Sequence, residues 1–120
     1  MKKRILIADD DADIAYTLSE ILHDAGFETA LASSAKDAYN MLAAQPFDLL
    51  LTDINMPELN GFALKKMIKQ CEALNGMPVI FMSGYSPYIE RAPSVVLIKP
   101  FNTDDLLSVI EMTLMSEAVH

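Results

Sequence analysis

Four short apolar runs in this chain stop at residues able to do chemistry. Residues 5–8 lead into Asp9 and Asp10, residues 47–52 into Asp53, residues 79–82 into Ser83, and residues 95–98 into Lys99. If these runs are parallel strands of one sheet, their carboxyl ends meet in a single crevice, which is where open α/β sheets bind ligands. Three carboxylates, a hydroxyl and an ammonium would then face one another. Carboxylates at such range raise each other's energy unless a cation sits among them. An all-oxygen donor set without His or Cys suits Mg²⁺, or Mn²⁺, rather than zinc. A metal ion, the Lys99 ammonium and the Ser83 hydroxyl around one carboxylate make an arrangement for phosphoryl transfer. Asp53, in the middle, would be the nucleophile and would form an acyl phosphate.

The elements that must position these groups alternate along the chain. A helical stripe of Ile14, Leu18, Ile21, Leu22 and Ala25 follows the first run, and Gly26 stands where a left-handed residue would end that helix. A second run covers 27–32. Ser34 and Asp37 then resemble a capping box for a helix carrying Ala38, Met41 and Leu42. The third run is nearly all apolar, the pattern of a strand covered on both faces. A loop over 55–61 leads to a helix over 62–71, with the lone cysteine, Cys71, as a small buried apolar residue at its end. Asn102 or Thr103 caps a last helix with a stripe of Leu106, Leu107, Ile110 and Leu114. Strand–helix alternation repeated five times predicts an α/β fold: one doubly wound, five-stranded parallel sheet of flavodoxin-like order 2-1-3-4-5.

Composition narrows the function. The 120 residues fit one domain over 1–120, and the formal net charge of −8 repels polyanions, so no direct nucleic-acid partner is expected. No apolar run approaches membrane-spanning length, and the basic start Lys2-Lys3-Arg4 is followed by acids rather than a signal core. A cytoplasmic protein with no membrane partner is expected. One cysteine allows no internal disulfide. Asp9, Asp11, Asp13 and Glu20 have the spacing of an EF-hand loop, but Ile14 stands where that loop needs Gly, within a helical stripe. An aspartate-nucleophile phosphohydrolase would need a substrate cap that this length leaves no room for, and no glycine-rich phosphate loop follows the first run.

These residues resemble the receiver domains of bacterial response regulators. The resemblance rests on the stretches 5–11, 48–61 and 78–84 and on Lys99-Pro100-Phe101, and it covers essentially the whole chain. It implies a phosphoacceptor signalling module of a two-component phosphorelay, with Asp53 phosphorylated. Asp9, Asp10, Asp53 and the backbone carbonyl of Asn55 would hold Mg²⁺, Asp9 directly or through a water. Ser83 and Lys99 would bind the phosphoryl group, Lys99 turned toward it by a cis bond to Pro100. Asn55 and Tyr85 match positions that tune the lifetime of the phosphoryl group. The donor would be a sensor histidine kinase, a phosphotransfer protein or a small phosphodonor such as acetyl phosphate. The module would not be an enzyme beyond catalysing its own phosphorylation and dephosphorylation. Its output would pass to a downstream protein target, or to an effector domain if the chain was excised from a longer regulator. A degenerate receiver that no longer signals by phosphorylation is the third alternative.

Two features depart from the family pattern. Val96 stands where an aromatic residue usually acts as a rotameric switch, and a valine cannot swing a ring in and out. The stretch from Ser83 to Lys99 is short and holds Pro87 and Pro93, so the helix between the last two strands is predicted to be short or irregular. Tyr39, Tyr85 and Tyr88 are candidates for a partner surface.

Overall fold

The computed structural model describes residues 2–84, 95–99 and 101–119. Five strands, β1 (Arg4–Ala8), β2 (Glu28–Ala32), β3 (Leu49–Asp53), β4 (Val79–Ser83) and β5 (Val95–Ile98), form one sheet. All neighbours run parallel, in the order β2-β1-β3-β4-β5. The described helices are α1 (Ala12–Asp24), α2 (Ala35–Ala44), α3 (Gly61–Gln70) and α4 (Thr103–Val119). The expected short helix between β4 and β5 falls on residues 85–94, outside the described residues. No helix among the described residues is long and apolar enough to cross a membrane.

Because side chains alternate along a strand, the sheet feeds two cores. Leu6, Ala8, Leu50, Val79 and Phe81 point to one face, where Ala38 and Leu42 of α2 and Leu64 and Ile68 of α3 cover them. Ile5, Ile7, Leu49, Leu51, Ile80 and Met82 point to the other, beneath Ala15, Leu18 and Leu22 of α1 and Leu106 and Ile110 of α4. Every residue of β3 is buried, as a strand covered on both faces requires.

Helix ends follow the sequence signals with local changes. Gly26 has φ +98°, its N–H donates to the His23 carbonyl at 3.0 Å, and the Phe27 N–H donates to the Leu22 carbonyl at 3.0 Å. This pair of bonds is a Schellman closure, and Phe27 and Leu22 share the core beneath it. Ser34 caps α2 through the Asp37 N–H at 3.1 Å, but the Asp37 carboxylate takes the Ser33 hydroxyl, so the capping box is only half formed. Asn102 caps α4, accepting the Asp105 N–H at 2.7 Å. In α1, Ala15 replaces Ile14 in the buried stripe, and Ile14 is partly exposed. Cys71 is not inside a helix: it forms the half-buried C-cap of α3 and packs, like Tyr39, against the core on the α2/α3 face. Residues 12–24 are helical, which removes the EF-hand reading.

Candidate functional site

β1 ends at Ala8, so Asp9 is the first residue beyond the strand, and its N–H still reaches the Ala32 carbonyl of β2 at 3.1 Å. This holds the Asp9 side chain over the sheet, 2% exposed. One of its oxygens accepts the Asp11 N–H at 2.9 Å, and the other lies 3.3 Å from the Lys99 ammonium. The run of acids is thereby divided by role. Asp11 is spent on capping α1, accepting the Asp13 and Ile14 N–H groups, whereas Asp10 is exposed at the crevice mouth.

Asp53 closes β3 and is 7% exposed. Its carboxylate lies 3.4 Å from the Lys99 ammonium. Asp9, Asp10 and Asp53 each offer a carboxylate oxygen, and these oxygens lie within 4.8 Å of one another. Burial raises the Asp53 pKa, and the charges of Asp9 and Asp10 add to the rise, while Lys99 opposes it. Among the described residues, the crevice thus holds more negative charge than Lys99 offsets. Asp9, Asp10 and Asp53 are oxygen donors, the chemistry of a hard divalent cation, so these residues fit Mg²⁺.

Ser83 ends β4 and is fully buried, and its carbonyl accepts the Lys99 N–H at 2.7 Å. That bond pins the end of β5 to the end of β4 and brings lysine and serine to the same rim. Asn55 follows β3 on the exposed start of the next loop. Tyr85 and Pro100 lie outside the described residues. Val96 is half-buried, pairs with Phe81 across the ladder and packs against the core on the α2/α3 face.

Three supporting features carried no functional reading in the sequence. Gly61 opens α3 against β3: a Cβ there would lie 2.6 Å from the Asp53 carbonyl oxygen. Its N–H donates to the Ile54 carbonyl at 2.8 Å. Glu58 has φ +68°, in a tight turn closed by the Leu59 N–H on the Pro57 carbonyl at 2.8 Å. Such a conformation is strained for a residue with a side chain, and here it stands on the loop leaving the acidic cluster. Thr52 is a fully buried polar residue, and its hydroxyl donates to the Asp53 carbonyl at 3.0 Å. A lone hydroxyl in an apolar run was the available signal for Thr52. Nothing in the residue types marked Gly61 or Glu58 as close-packed or strained.

The family model for the response regulator receiver domain matches residues 5–111. The chain is 34% identical over 120 residues to the response regulator receiver protein CpdR of Brucella abortus, covering 95% of this chain and 98% of that protein. It is 37% identical over 118 residues to the transcriptional regulatory protein ZraR of Escherichia coli K12, covering 92% of this chain but 26% of that protein. Among solved structures, a CheY-like receiver domain protein from Methanospirillum hungatei superposes with TM-score 0.88 at 31% identity, covering 98% of each chain. The chemotaxis response regulator CheY4 of Vibrio cholerae superposes with TM-score 0.86 at 25% identity, covering 94% of this chain and 99% of that one. Sequence and fold agree, and the chain belongs to the response regulator receiver domain family.

Proposed function

We propose that the chain is one receiver domain over residues 1–120 that takes a phosphoryl group onto Asp53 in a Mg²⁺-dependent reaction and changes its protein-interaction surface as a result. The observation that supports this most is the juxtaposition of Asp53 with Asp9, Asp10 and Lys99 in one crevice at the carboxyl end of the sheet. The Asp53 carboxylate attacks phosphorus, and the P–N bond of a phosphohistidine breaks, its electron pair staying on the imidazole nitrogen. The product is an aspartyl phosphate and a free histidine. Asp9, Asp10, Asp53 and the Asn55 carbonyl would hold the metal, and Mg²⁺ would offset charge on the transferring oxygens. Lys99 pairs with the phosphoryl group, and the Ser83 hydroxyl donates to it. Asn55 and Tyr85 set how long the acyl phosphate survives.

The phosphodonor is a sensor histidine kinase or a phosphotransfer protein, with acetyl phosphate able to substitute. The output goes to a protein target in the cytoplasm or to an effector domain in a longer chain, not to nucleic acid directly. Chemical identity of the product tests this reading. After incubation with acetyl phosphate and Mg²⁺, hydroxylamine should release the phosphoryl group and leave a hydroxamate on Asp53, located by peptide mapping. A phosphoryl group that resists hydroxylamine, or a hydroxamate on another residue, would overturn it.

A further inference from the structure

We infer that Thr52 is a positioning residue for the phosphoacceptor: its hydroxyl, bonded to the Asp53 peptide carbonyl, fixes the backbone that leads from Asp53 to Asn55. The inference rests on the reading of Asp53 and of the Asn55 carbonyl given above. The ladder between β1 and β3 ends with Ala8 opposite Thr52, so strand pairing stops one residue short of Asp53 on that side. On the other side, the carbonyls of Pro78, just before β4, and of Met82 accept the N–H groups of Leu50 and Ile54, so the alternation along β3 turns the backbone groups of Leu51 and Asp53 toward β1. The Asp53 carbonyl is therefore a backbone acceptor at the point where its strand neighbour runs out. A buried acceptor without a donor is costly. The Thr52 hydroxyl supplies that donor at 3.0 Å.

The same oxygen is also closely approached by Gly61, where an added Cβ would lie 2.6 Å from it. The hydroxyl bond and the close approach of Gly61 leave the peptide linking Asp53 to Ile54 little freedom to rotate. Rotation of that peptide would displace the Asp53 side chain on one side and the Asn55 carbonyl on the other, both of them groups assigned to the metal. Thr52 touches neither metal nor phosphoryl group. It acts through the backbone, and a valine has nearly its shape without the donor.

The test compares the full chain with Thr52→Val and Thr52→Ser. Calorimetric titration with MgCl₂ reads metal affinity without any phosphodonor, and urea unfolding reads stability. Loss of one hydrogen bond should weaken Mg²⁺ binding by about threefold to tenfold in the valine variant. Serine, which keeps the hydroxyl, should restore it. Mg²⁺ affinity unchanged in Thr52→Val, or lowered equally in Thr52→Ser, would overturn the inference. A second measurement needs no variant: the Asp53 carbonyl carbon resonance of the wild-type chain should show a deuterium isotope shift when the hydroxyl exchanges, and the lack of one would overturn it too. Failure of Thr52 leaves Asp53 as phosphoacceptor untouched, whereas phosphoryl uptake by Asp53→Ala would remove the underlying reading instead.

Discussion

The Lys99 ammonium lies 3.4 Å from the Asp53 carboxylate, delivered by the end of β5 to the end of β3 across β4. The same ammonium lies 3.3 Å from Asp9, so one cation spans two nearly buried anions. Replacing it leaves those anions facing each other. Lys99→Met should cost about 1–3 kcal/mol in metal-free buffer, below the range for a fully buried pair because Asp53 can take up a proton. Saturating Mg²⁺ should recover most of that loss while phosphoryl uptake stays slow. Urea unfolding with and without the metal checks the first statement, and uptake from acetyl phosphate checks the second.

The raised pKa of Asp53 has a defined consequence for stability. An acid whose folded pKa lies above its unfolded value holds its proton more tightly in the fold, so stability falls as pH rises through that interval. The penalty is complete above the folded value and absent below the ordinary carboxylate range. Asp53→Asn, which cannot ionise, should therefore be the more stable protein at neutral pH without metal. Its advantage should shrink on acidification and vanish once the unfolded carboxyl is protonated. Unfolding curves across this pH range check it; an advantage that grows toward acid would contradict it.

Gly61 leaves room for the Asp53 carbonyl. A methyl group there must push β3 and α3 apart, at about 1–3 kcal/mol for overpacking. Gly61→Ala should also slow phosphoryl uptake by about tenfold or more, since small misplacements of a reacting group cost rate steeply. Thermal unfolding and uptake kinetics on the same sample check both parts.

Gly26 provides the contrast. Its φ of +98° costs a non-glycine residue about 1–2 kcal/mol. It lies past the far end of the 13-residue α1, about 20 Å along the axis from the crevice. Gly26→Ala should lower stability and leave the uptake rate at the wild-type value. A slowed uptake in this variant would mean that stability alone governs the rate, and would weaken the case for Gly61.

The sheet order and the strand-end residues were legible because both follow from runs and their stops. Asp53 and Ser83 are the last residues of β3 and β4, and Lys99 is the first beyond β5. What the sequence left open is how neighbouring groups share the work. Asp9, Asp10 and Asp11 look alike in the chain, yet backbone N–H groups and Lys99 sort them into a buried ion-pair partner, an exposed carboxylate and a helix cap. Asp37 was expected to complete a capping box and instead takes the Ser33 hydroxyl, because two adjacent serines compete at the start of α2. Ile14 fits the periodic stripe of α1, but the small Ala15 is what the sheet side accepts. Gly61 and Thr52 act through distances of a few ångströms to one backbone oxygen, and no periodicity or residue spacing encodes such an approach.

The central claim is that Asp53 receives the phosphoryl group with help from a divalent cation. Intact-mass spectrometry after incubation with acetyl phosphate tests it most directly, on wild type with Mg²⁺, on wild type with a chelator, and on Asp53→Ala with Mg²⁺. One phosphoryl mass should appear only in the first sample. The same added mass on Asp53→Ala, or none on the wild type with Mg²⁺, would contradict the account.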